Sequence, residues 1–134
     1  MKPTLAAYAA AAVTMLVIDM VWLGVIARPL YQQGIGHLMA PQPNLWAAAL
    51  FYLLYPVGVV LFAVMPNAAS TALHTALMGA AFGLFAYATY DLTNVATLKG
   101  WPLGLSVIDT LWGAAVSAVA ATAGRAAMNH FSPT

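Results

Sequence analysis

The chain predicts an all-α integral membrane four-helix bundle, and three observations carry that prediction. It contains four apolar runs, each reaching the ~20 residues that a helix needs to cross a bilayer core of ~30 Å. Only 5% of its 134 residues are charged, against roughly 25% in an ordinary globular domain, so there is too little charge to cover a water-facing surface. All three acidic residues, Asp19, Asp91 and Asp109, lie inside or at the end of the apolar runs. All four basic residues, Lys2, Arg28, Lys99 and Arg125, lie at the ends of those runs or outside them.

The spans read as about 5–27, 45–65, 71–98 and 103–124 of a single transmembrane domain, 1–134. The first run is longer than the ~7–15 residue core of a signal peptide and contains Asp19, so it reads as a retained span. Pro56 lies inside the second span and should kink it. The third ends at Lys99-Gly100-Trp101-Pro102. A cation suits the helix C-terminal dipole, Gly the left-handed cap, and Pro blocks continuation. From residue 71 that makes about 28 residues, or roughly 42 Å at ~1.5 Å each. Such a helix has to tilt, protrude or unwind, and the place to unwind is Asp91-Leu92-Thr93-Asn94, where polar side chains compete for backbone hydrogen bonds.

Four spans put the N and C termini on one side, here side A, together with the Pro66-Asn67 turn. The connections 28–44 and around Lys99 lie on side B. Each side carries two Lys/Arg residues, so the positive-inside rule leaves the orientation open. A fixed topology is the first reading; inverted copies forming a homodimer are the second. Gly79 and Gly83, and Gly113 and Ser117, form small-xxx-small pairs read first as packing within the chain and second as a dimer contact.

A carboxylate at the centre of a membrane helix costs about 2.5–3.5 kcal/mol on the insertion scale, and such groups usually face a bundle interior or a cavity. Asp19 and Trp22 are spaced i,i+3, as are Asp109 and Trp112, which puts each pair on one helix face. At ~1.5 Å per residue, Asp19 and Trp112 lie roughly 12 Å from side B and Trp22 and Asp109 roughly 9 Å. Because the helices run in opposite directions, each indole N–H is expected to donate to the opposite carboxyl. Tyr52, Tyr55, Tyr87 and Tyr90 fall in the same half, with Asp91, Thr93, Asn94 and Thr97. Arg28 sits at the mouth and His37 in the adjoining loop. The other half holds mainly Ala, Val, Met, Leu and Gly. The expectation is a polar pocket open toward side B and closed toward side A. Its binding residues would be Asp19, Trp22, Arg28, Tyr52, Tyr55, Tyr87, Tyr90, Asp91, Asn94, Asp109 and Trp112. The acid/base candidates would be Asp91 and Asp109, helped by Tyr90 or Arg28. The competing reading is a purely structural lock between helices. Trp46, Trp101 and Tyr31 read as interfacial belt residues.

Other chemistries are excluded or unsupported. The chain has no cysteine, which removes disulfides, thiolate metal sites and cysteine catalysis. A net charge of +1 without a basic tract argues against nucleic acid. His37, His74 and His130 have no ligand-type spacing, and no HExxH, phosphate loop, GxSxG or GxGxxG occurs. No metal and no cofactor is expected.

The stretch Tyr87-Ala88-Thr89-Tyr90-Asp91-Leu92-Thr93-Asn94, with Ala96-Thr97, resembles the signature of a family of small bacterial membrane proteins, domain of unknown function 2177. The resemblance continues through Asp109-Thr110-Leu111-Trp112-Gly113, Asp19 with Trp22-Leu23-Gly24, Tyr31, and Phe51-Tyr52-Leu53-Leu54-Tyr55-Pro56. It implies a four-helix protein of a bacterial inner (cytoplasmic) membrane and points weakly to lipid chemistry, without supplying an activity. The functional expectation is therefore binding or modification of a lipid-like small molecule, with membrane lipid as the surrounding partner. A proton-coupled small-molecule transporter and an assembly subunit of a membrane complex are the alternatives.

Overall fold

The computed structural model describes residues 2–132. Four of its helical segments are long and apolar enough to span a membrane: Pro3–Ile26, Leu45–Asn67, Ala72–Thr97 and Leu103–Phe131. The first is helix α1 (Pro3–Val21), started by a proline whose missing N–H costs nothing at that position. It widens into a π-helical turn at Trp22–Ile26. Buried Ala27 then leads into a short helix, α2 (Arg28–Ile35), and a 3-10 turn at Gly36–Leu38. The sequence marks this segment only as a connection between spans, and the structure makes it partly helical. Asn44 caps α3 (Leu45–Val59) by accepting from the Ala47 N–H at 3.2 Å. Buried Pro56 lies within α3, and the helix continues past it into a second π-helical turn, Val60–Val64. Thr71 caps α4 (Ala72–Thr97), and α5 (Leu103–Phe131) completes the chain.

Two boundaries correct the sequence reading. Helix α4 does not unwind at Asp91–Asn94 but stays helical to Thr97. The hydroxyls of Thr89, Thr93 and Thr97 donate to the carbonyls of Phe85, Thr89 and Thr93, one turn back, at 2.6, 2.5 and 2.8 Å. They therefore lie along the helix instead of competing with it. Helix α5 runs seven residues beyond Gly124, to Phe131. Arg125 holds this extension in place by donating to the Asn67 and Ser70 carbonyls, both at 2.7 Å, in the α3–α4 connection.

Helix α5 is the centre of the bundle, packed along both α4 and α1. The closest approach uses the small residues noted in the sequence. A Cβ added at Gly79 would lie 2.8 Å from both the Ser117 carbonyl oxygen and the Ala121 Cβ. One added at Gly83 would collide with the Gly113 carbonyl and the Ser117 hydroxyl. Absent side chains let the two backbones meet, which is how helices gain contact where lipid offers no hydrophobic contrast. Ala7, Ala11 and Met15 of α1 close the core with Val59, Ala63, Val64, Val116 and Ala120. By contrast, α3 reaches α4 and α5 chiefly through its π-helical end, Val60–Val64. Its first turns stand off from α4, bridged by aromatic side chains. The outer surface carries Leu, Val, Phe and an 88%-exposed Trp46, the composition a hydrocarbon environment tolerates.

Candidate functional site

The polar residues of the spans converge in two connected groups. Buried Asp19 accepts from the Trp112 indole N–H at 2.7 Å and from the Tyr52 hydroxyl at 3.0 Å. The expected Asp19–Trp112 pairing across antiparallel helices is therefore present. Its mirror partner is not. Trp22 lies in the π-helical turn, and its ring stacks on Trp112 with centroids 4.4 Å apart and planes 6° from parallel. The Trp22 N–H points to the Tyr31 hydroxyl at 3.4 Å, and that hydroxyl donates to the Asp109 carboxyl at 2.5 Å. Tyr31, read from sequence as a belt residue, is thus the link between Trp22 and Asp109. Burial pushes its phenol above the ordinary tyrosine range, and the bond to Asp109 pushes it further. It therefore stays protonated and donating through neutral pH.

Asp91 is buried and accepts from the Thr110 hydroxyl at 3.1 Å. Its carboxyl neighbours that of Asp109. The Tyr55 and Ser117 hydroxyls bond at 2.7 Å. Tyr87 packs over Gly113, whose lack of a side chain leaves room for the ring. Tyr90 lies edge-on to Trp101 at 5.9 Å, and Asn94 follows one turn on. Arg28 is exposed at the start of α2 and stands apart from this network, as does exposed His37. The described residues contain no group of three or more His, Cys, Asp or Glu placed to hold a metal ion.

A cavity of about 540 Å³ opens among the four long helices, lined by Leu23, Phe51, Tyr55, Ala86, Tyr87, Tyr90 and Asp109. Only one of the three carboxylates, Asp109, lies on its wall. The side-chain oxygens of Asp19 are both occupied by protein donors. The three acids that looked alike in the sequence therefore sit in different settings. Asp19 fastens α1, α3 and α5 together; Asp109 faces open space with Asp91 behind it. Leu23, Phe51 and Ala86 carried no chemical signal in the sequence, and Tyr31 carried none without knowledge of α2. Helix α2 sits on the start of α5, where a Cβ at Gly34 would meet Leu105 Cδ2 at 2.9 Å and Pro102 Cγ at 3.1 Å.

Tyr31→Phe removes the hydroxyl that joins α2 to Asp109. A hydrogen bond typically contributes about 0.5–1.5 kcal/mol, so the substitution should free α2 before it unfolds the bundle. Hydrogen exchange at residues 28–38 should rise while that of α4 and α5 stays unchanged. Unchanged exchange at 28–38 would show that α2 is held by packing alone.

Four apolar spans around a buried carboxyl–aromatic network define a multi-pass α-helical membrane protein. The model of the family described as predicted membrane protein (DUF2177) matches residues 4–126, and the chain belongs to that family. No curated protein and no solved structure matches it.

Proposed function

We propose that this protein binds a lipid-like molecule in the Asp109 cavity, with the Asp91–Asp109 pair able to give or take a proton from its polar end. The observation that carries this reading is the cavity itself: about 540 Å³ of mainly aromatic and aliphatic wall with a single carboxylate. Ligand sites typically span about 300–1,000 Å³ and combine an apolar lining with a few placed polar groups. The approach to the cavity supports a ligand arriving from the bilayer, because the first turns of α3 stand off from α4. The other half of the bundle is filled by the Ala, Val and Met core, which favours a binding site with one entrance over a transport path. A bacterial cytoplasmic membrane is the proposed setting, supported by the family resemblance alone.

The test is extraction and mass spectrometry of the lipid retained by the purified protein, beside an unrelated four-span protein purified identically. One amphiphile enriched on this chain and depleted about tenfold on Asp109→Asn is expected, a change equivalent to ~1.4 kcal/mol of binding free energy. Identical lipid profiles for the two proteins would remove the proposal.

A further inference from the structure

A second cleft adjoins the cavity. Phe51 and Tyr55 also line this wholly apolar cleft of about 340 Å³, walled further by Leu54, Gly58, Leu61 and Phe82. It lies along the last turns of α3 and the π-helical turn beyond it. Gly58 lets the Phe82 ring pack closely on α3, since a Cβ there would lie 2.7 Å from that ring. The Asp109 cavity and this apolar cleft therefore adjoin across the Phe51 and Tyr55 rings.

The polar chamber has a definite chemistry. Among the described residues, its only lining residue with an ionisable acid or base other than tyrosine is Asp109, and no Lys, Arg or His lines it. The Tyr87 hydroxyl has no hydrogen-bond partner among the described residues and is not sealed from open space. A phosphate or carboxylate head would meet a carboxylate with no cation to offset the repulsion, a form of selection against that ligand. A hydroxyl or ammonium head would donate to Asp109 and bond the Tyr87 oxygen.

Building on the proposed function, we infer that the ligand is a single-chain amphiphile whose head donates hydrogen bonds and carries no negative charge, an alcohol or an amine. Its head lies at Asp109 and Tyr87, and its chain runs past Phe51 and Gly58 to Leu61.

The experiment uses four photoreactive probes of one chain length, each with a diazirine near the chain end. Their heads are a hydroxyl, an amine, a carboxylate and a phosphate monoester. Each is cross-linked to the full-length protein in neutral-lipid vesicles at pH 7, and the labelled residues are mapped by mass spectrometry. The alcohol and amine should label the Leu61–Phe82 region about tenfold more than the two anionic probes. Gly58→Leu, which puts a side chain against Phe82 in the apolar cleft, should abolish that labelling. Asp109→Asn should cut amine labelling about tenfold. Equal or stronger labelling by the carboxylate or phosphate overturns the head-group assignment while leaving a ligand site in place. Labelling by no probe beyond the level at lipid-facing residues overturns the proposed function as well.

Discussion

Gly83→Ala should destabilise the bundle by about 3 kcal/mol or more, the upper end of the range for overpacking a close-packed interface. The added methyl would collide with the Gly113 backbone carbonyl and the Ser117 hydroxyl. A backbone carbonyl in mid-helix cannot rotate aside as a side-chain tip can, so α4 and α5 must separate. That separation would loosen the contact on which the rest of the bundle rests, since α5 is the helix that α1 and α4 share. Gly104→Ala is the control, because nothing lies within 4 Å of a Cβ placed there. It should be neutral or gain up to ~1 kcal/mol from the better helix propensity of Ala. Unfolding midpoints in mixed detergent–SDS micelles measure both. Equal midpoints for Gly83→Ala and the parent would mean that the two backbones do not meet at this point.

Asp19→Ala should be the second large loss, and it should be one of stability. The Tyr52 hydroxyl and Trp112 indole both donate to that carboxyl. Leaving a buried donor without an acceptor costs about 1–3 kcal/mol, and no water is at hand inside a membrane to repair it. Asp109→Asn keeps the shape of the side chain and an oxygen able to accept from Tyr31, so it should shift the unfolding midpoint less than Asp19→Ala does. Its effect should fall on bound ligand. The contrast separates the two readings of the acidic residues. If both variants lose stability and neither loses ligand, the carboxyls only hold helices together.

Much of this arrangement was legible in the residues. Runs of ~20 apolar residues located the four spans because a bilayer imposes that length. The Asp19–Trp112 contact followed from equal depths on antiparallel helices. The matching Trp22–Asp109 contact is absent because Trp22 stacks on Trp112 and the Tyr31 hydroxyl stands between the indole N–H and the Asp109 carboxyl. The extension of α5 was missed because hydropathy falls at Gly124 and Arg125 while helix propensity, in Ala126, Ala127 and Met128, does not. Helix α2 was missed because eight residues in a polar connection give too short a pattern to read, and with it went the role of Tyr31.

The most direct measurement is an experimental density map of the protein in a lipid nanodisc, with a bound antibody fragment to supply size. The account predicts the first turns of α3 held away from α4, with one elongated density beside Phe51 and Tyr55 that reaches the Asp109 carboxyl. Helix α3 packed directly against α4 along its whole length, with no space beside Asp109, would contradict it.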